Sequence, residues 1–240
     1  MEQKPEINRF DTKEEATAAS GEALNNLLIE NKAIPVLLLL SGGSSLAILD
    51  YVSANSLGEN ITVTMLDERF SQEAEVNNFA QLQKTDFYTR ALGAEVNFLG
   101  SLPRPGENIE DMCARLEIGI KNWQQNQPKG KIFAVFGMGT DGHTAGIFPY
   151  PENFDFFSKN FENQHFVAGY SASSKHKHPE RITATFSLFK NIDEAIVFIC
   201  GEDKKPALDR FLKGAEQPHQ LPALGIYETK HFRIFTDIQI

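Results

Sequence analysis

The chain has 240 residues, of which 41% are hydrophobic and 23% charged, and a formal net charge of −9. This composition is globular rather than disordered, and the acidic balance argues against nucleic acid, which calls for a basic stripe. No apolar run approaches the roughly 20 residues of a membrane span.

In chain order, Asp11 with Glu14 resembles a capping box, followed by a helical stripe at Ala23, Leu24, Leu27 and Leu28. Buried strands are expected over 34–40 and 61–66, with a helix between them carrying Leu46, Ile48, Leu49 and Val52. Helices follow over 77–92 and 107–123, where Ile109, Met112, Leu116 and Ile120 read as a core stripe. Further strands are expected over 132–136 and 195–200, a helix over 203–213, and a last strand over 231–236. Pro206 is tolerated because it falls in the first turn of its helix. The stretch 150–165 reads as a long loop or short helices. This alternation implies one α/β domain over 1–240, a mostly parallel twisted sheet with helices on both faces. The N-terminus lacks a signal-peptide core, and Cys113 and Cys200 read as buried free thiols of a reducing, cytoplasmic compartment.

Three segments leave strand ends with polar residues. Gly137-Met138-Gly139-Thr140-Asp141-Gly142-His143 follows an apolar run and holds one carboxylate, Asp141, and one imidazole, His143. Ligands in open α/β sheets bind at the carboxyl ends of the strands. Ser41-Gly42-Gly43-Ser44-Ser45 stands between a strand and a helix. Free N–H groups and the helix dipole favour an anion there, and the hydroxyls of Ser44 and Ser45 can add hydrogen bonds. A plain helix cap is the equal alternative. Asp67-Glu68-Arg69 ends the second strand and reads as a third loop on the same rim or as solvated charge. The 173–178 run, rich in Lys and His, reads as a solvated loop rather than a metal site, because no acid or Cys completes a ligand set.

These segments resemble those of the 6-phosphogluconolactonases, relatives of glucosamine-6-phosphate deaminase. The likeness rests on Ser41-Gly42-Gly43-Ser44, on Asp67-Glu68-Arg69-Phe70 with Asn78, and on the loop from Gly137 to Phe148-Pro149. Pro179-Glu180-Arg181-Ile182-Thr183 and Gly201-Glu202-Asp203-Lys204 complete it. The resemblance implies a modified Rossmann-like fold and a sugar-phosphate substrate. It implies Gly42, Gly43, Ser44, Ser45, Asp67, Arg181 and Lys204 as binding residues, and His143, Asp141 and Arg69 as catalytic ones. His143 is read as the general base on a water, because imidazoles ordinarily titrate near pH 6.5. Asp141 either orients it or shapes the loop, and Arg69 either polarises the carbonyl or steadies the tetrahedral oxyanion. Arg69, Arg181 and Lys204 supply the local positive charge that a phosphate needs in an acidic chain. No metal or organic cofactor is expected, since lactones are activated esters, and no partner beyond the small-molecule sugar phosphate except weak self-association.

Two rivals stay open: an amino-sugar-phosphate deaminase and a non-catalytic sugar-phosphate-binding regulator. The deaminases place a Glu just before the Pro of this loop. Here that position is Phe148, which cannot orient an imidazole through a hydrogen bond, so the pattern favours lactone hydrolysis.

Overall fold

The structure, a computed structural model, describes residues 5–172 and 177–239. Ser173, Ser174, Lys175 and His176 of the 173–178 run lie outside the described residues. In chain order the elements are β1 (Glu6–Arg9), α1 (Lys13–Glu30), β2 (Val36–Leu40), a 3₁₀ helix (Gly43–Tyr51), β3 (Ile61–Met65) and β4 (Asp67–Arg69). Then come α2 (Asn78–Leu82), α3 (Asp86–Gly93), β5 (Asn97–Phe98), α4 (Ile109–Asn126), β6 (Lys131–Gly137) and α5 (Phe154–Phe161). The last group is β7 (Val167–Ser171), β8 (Glu180–Ala184), α6 (Phe186–Phe189), β9 (Glu194–Ile199), α7 (Lys205–Lys213) and β10 (Phe232–Thr236).

A seven-stranded sheet runs β1-β10-β9-β6-β2-β3-β5, and every pairing in it is parallel. Its central strands are apolar on both faces because both faces are covered, as parallel sheets require. Alternation divides each run between two cores. Leu37 and Leu39 of β2 join Phe136 of β6 and Val197 of β9 in one, packed against Phe157, Phe161, Leu208 and Phe211. Val36, Leu38 and Leu40 join Phe133, Val135 and Phe198 in the other, under Leu24, Leu28, Ile48 and Phe87. The helices therefore sit on both faces, as expected.

A second sheet, antiparallel and three-stranded, runs β4-β8-β7. It pairs Asp67 with Thr183 and Arg69 with Arg181, and Tyr170 with Arg181. Asp67-Glu68-Arg69 is thus a short strand and not a loop. Its period of two puts Asp67 and Arg69 on one face and Glu68 on the other.

Other expectations are corrected. The capping box is Thr12 with Glu15, one residue later than Asp11 with Glu14, because the Thr12 hydroxyl reaches the Glu15 N–H at 3.1 Å. The 77–92 helix is two helices, since Thr85 accepts from the Tyr88 N–H and starts a new one. The segment after Ser41 is 3₁₀ rather than α. Cys113 and Cys200 are free thiols, but only Cys200 is buried as expected and Cys113 is half-buried; loss of solvent pushes both up to about 12.

Candidate active site

The carboxyl ends of β2 and β6 and the face of β4 and β8 enclose a cavity of about 440 Å³, a volume suited to a small metabolite. Gly42, Gly43, Ser44, Ser45, Asp67, Arg69, His143, Arg181 and Lys204 all line it. Asp141, the remaining candidate, is not in the wall but reaches it through His143.

The loop after β6 folds back on itself. The Gly139 N–H donates to the His143 carbonyl at 2.9 Å. A Cβ on Gly139 would collide with the imidazole Nδ1, so this position needs a glycine. One Asp141 oxygen, Oδ1, takes both the His143 backbone N–H at 3.0 Å and the ring Nδ1 at 2.6 Å. Burial opposes ionisation of Asp141, but the hydrogen bond and charge of His143 outweigh it and hold the carboxyl below its ordinary value. An Nδ1–H donated to that carboxylate leaves the lone pair on Nε2. The imidazole also lies 4.8 Å from the Phe148 ring, centroid to centroid.

At the end of β2, Gly43 has a φ of +68° and Ser44 is exposed. The Ser45 hydroxyl does not face a ligand, because it donates to the Ser41 and Gly42 carbonyls at 3.1 and 2.9 Å. No side chain caps the 3₁₀ helix, so the cap alternative for Ser44 and Ser45 is not what forms. A Cβ on Gly42 would collide with Asn78 Oδ1, so a glycine is also needed there.

The third wall is the small sheet. Asp67 is held by the Asn78 amide, whose Nδ2 donates to the Asp67 carbonyl at 3.0 Å and to Oδ2 at 3.2 Å. Burial raises the Asp67 carboxyl, against the charges of Arg181, Arg69 and His143. Arg69 donates through Nη1 to the Val76 carbonyl at 3.1 Å. Arg181 is buried, with its guanidinium carbon 5.4 Å from the Phe148 ring centroid. Burial lowers Arg181, and Asp67 restores part of that loss. Burial likewise lowers Lys204, with Asp203 opposing. Three cations against Asp67 make the cavity locally positive in an acidic chain.

Among the described residues, four buried side-chain polar atoms of this wall, Ser41 Oγ, Arg69 Nε, Asn78 Oδ1 and Arg181 Nε, have no hydrogen-bond partner. Such atoms cost free energy unless something satisfies them, so the wall is built for a polar ligand. Among the described residues no group of three or more His, Cys, Asp or Glu is placed to hold a metal ion. No helix is long and apolar enough to cross a membrane among them. Sequence reasoning named Phe148 and Thr183 only as members of matching motifs, with Phe148 also the contrast to the deaminases, and gave neither Thr183 nor Tyr170 the part of supporting the loop. Their signal, alternation in β7 and β8, was present but weak.

The fold is that of solved structures of 6-phosphogluconolactonases. One from Shewanella baltica covers 98% of this chain and 99% of its own at a TM-score of 0.72 and 21% identity. One from Plasmodium vivax covers 97% and 90% at a TM-score of 0.77 and 16% identity. In sequence, a 6-phosphogluconolactonase of Helicobacter pylori is 25% identical over 225 residues, 93% of this chain and 91% of the relative. The model of the glucosamine-6-phosphate isomerases/6-phosphogluconolactonase family matches residues 11–235, and the chain belongs to that family.

Proposed function

We propose that this protein hydrolyses 6-phosphogluconolactone to 6-phosphogluconate, with His143 as general base. The observation that carries the reading is the Asp141–His143 pair at 2.6 Å, set in a locally positive cavity. The relatives named 6-phosphogluconolactonase support the substrate. The phosphate sits at the Gly42-Gly43-Ser44 turn, where the main chain presents N–H groups, and Arg181 and Lys204 clamp it. A guanidinium suits phosphate because its donors form a planar fork.

With Nδ1 tied to Asp141, His143 Nε2 takes a proton from water as the water oxygen bonds to the lactone carbonyl carbon. The negative charge moves to the carbonyl oxygen, where Arg69 steadies it. The intermediate then collapses, the bond to the ring oxygen breaks, and the imidazolium returns its proton to that oxygen. The product acid ionises and releases one proton to solvent. Asp141 orients the ring and stabilises the imidazolium, which is the part an adjacent carboxylate plays beside a histidine base. Phe148 packs against the imidazole where a deaminase-type acid would stand, and this favours hydrolysis over ring-opening proton relay.

Two assays on the wild type test the reading. Fresh 6-phosphogluconolactone is expected to give 6-phosphogluconate faster than in buffer, and glucosamine-6-phosphate is expected to give no ammonia. Ammonia with no lactone turnover would overturn it. The chain is read as one catalytic domain, acting in the cytoplasm as a monomer or weak homo-oligomer without metal or organic cofactor.

A further inference from the structure

Beyond His143 the loop makes a two-residue hairpin turn. The Ile147 N–H donates to the Thr144 carbonyl at 2.8 Å, and the Thr144 N–H returns to the Ile147 carbonyl at 3.3 Å. Ala145 and Gly146 at its tip both have positive φ, +47° and +72°. Such turns want φ above zero at both central residues, and Ala is an unfavourable choice for the first. Strain of this kind persists only where the surroundings hold it, and it gathers at functional sites.

The surroundings here are two buried hydroxyls of the small sheet. Thr183 Oγ1 donates to the Ala145 carbonyl at 2.5 Å, and the Tyr170 hydroxyl donates to the Gly146 carbonyl. Both side chains are almost wholly excluded from solvent. The peptide bonds are trans, so C=O and N–H of one peptide unit point in opposite directions. Thr183 draws the Ala145 carbonyl toward β8, which aims the Gly146 N–H away from it. The Thr144 carbonyl turns inward across the hairpin, which aims the Ala145 N–H outward. Among the described residues no hydrogen bond uses either N–H, although Ala145 and Gly146 line the same cavity as His143 and Arg69.

Resting on the proposed lactone hydrolysis, we propose that the Ala145 and Gly146 amides are donors to the oxyanion of the tetrahedral intermediate, and that Thr183 and Tyr170 are positioning residues that hold the turn. Fixed backbone donors suit this role because they need no reorganisation as charge develops. Arg69 approaches the same oxygen from the β4 side. Asp67, which lies under Gly146, faces Arg181 and Arg69, and their charges offset its own. The small sheet thereby acts twice, since β8 carries Arg181 for the phosphate and Thr183 for the turn.

The test is a comparison of kcat with KM in three variants of the full chain. Thr183→Val keeps the shape and deletes the hydroxyl. Its kcat is expected to fall roughly 10- to 100-fold, the scale of a small misplacement at a reacting centre, with KM and product inhibition by 6-phosphogluconate nearly unchanged. Thr183→Ser restores the hydroxyl and is expected to recover most of kcat. Replacing Gly146 by glycolic acid turns one amide into an ester, which deletes its N–H and weakens the Ala145 carbonyl as an acceptor. Its loss in kcat, about 10²–10³, is expected to exceed that of Thr183→Val, which removes the hydrogen bond to that carbonyl without touching the N–H. Melting curves confirm that each variant is folded. No turnover by the wild type overturns the lactonase reading and the donor assignment with it. Wild-type turnover together with an unchanged kcat in the ester variant overturns the donor assignment alone. A rise in KM equal to the loss in kcat/KM, at unchanged kcat, also overturns it.

Discussion

The two sheets of this molecule divide the work unequally. The large sheet has at its centre β2, β6 and β9, runs of five to seven mostly apolar residues buried on both faces, and contributes to the cavity chiefly through loops that leave its strand ends. The small sheet has strands of three to five residues, and it carries Asp67, Arg69 and Arg181 directly on its own register. Hydrophobic burial thus fixes the frame, and a scrap of antiparallel pairing places the charges. If that division is right, substitutions in the two sheets fail in different ways.

The largest effect is expected at the loop between them. His143→Ala is predicted to lower lactone hydrolysis about 10²–10⁴-fold, the usual worth of a positioned base, with the fold intact because the loop's glycines and backbone hydrogen bonds set its path. Near-normal activity in a folded variant would remove the base assignment. In the large sheet, Leu38 is fully buried in the centre of β2. Leu38→Ala is predicted to cost about 2–5 kcal/mol of stability while leaving kcat/KM of the folded fraction close to wild type. Denaturant melts beside active-site-normalised kinetics check this, and a selective loss of kcat/KM would blur the division.

The reverse face of β4 gives a sharper case. Glu68 is buried, 1% exposed. It accepts from the N–H groups of Arg69 at 2.8 Å, Asn78 at 2.6 Å and Phe79 at 2.9 Å, and from the Ser101 hydroxyl at 3.0 Å. Burial nevertheless pushes it up to about 7 from 4.5. Between those values the folded chain keeps a proton that the unfolded chain has lost, so stability falls as pH rises through that window. The loss is about 3 kcal/mol at roughly 1.4 kcal/mol per unit. Glu68→Gln removes the titration, and the drop in melting temperature from pH 5 to pH 8 is predicted to be smaller in the variant than in the wild type. Identical pH dependence in the two proteins would contradict this. On the cavity side of the small sheet, Arg181→Ala is predicted to weaken binding of phosphorylated lactone by about 1.5–3 kcal/mol, as is Lys204→Ala beyond it. Both should leave the unphosphorylated lactone nearly unaffected. Equal losses on the two substrates would show that neither cation reads the phosphate.

The sequence was most legible where burial is continuous along a strand. The runs at Val36–Leu40, Ile61–Met65 and Glu194–Ile199 announce themselves as strands, and their ends lead directly to the polar loops. The small sheet was nearly silent because β4 is three charged residues, which look like a solvated turn until β8 is seen to pair with them. β1 and β5 are short edge strands with too few residues to show a period. The candidate site residues stood out by their types and by resemblance to a family. The hydrogen bonds joining Thr183 to Ala145 and Asn78 to Asp67 span 38 and 11 residues, and no local pattern in the chain signals them.

The most direct test of the account follows proton release from freshly made 6-phosphogluconolactone at constant pH, with and without the wild-type protein, because the lactone also opens spontaneously. The account predicts an initial rate that rises in proportion to protein concentration, saturates with the lactone, and delivers one proton per 6-phosphogluconate formed. A rate no faster than buffer, with the lactone still bound, would contradict it and leave the cavity a binding site without turnover.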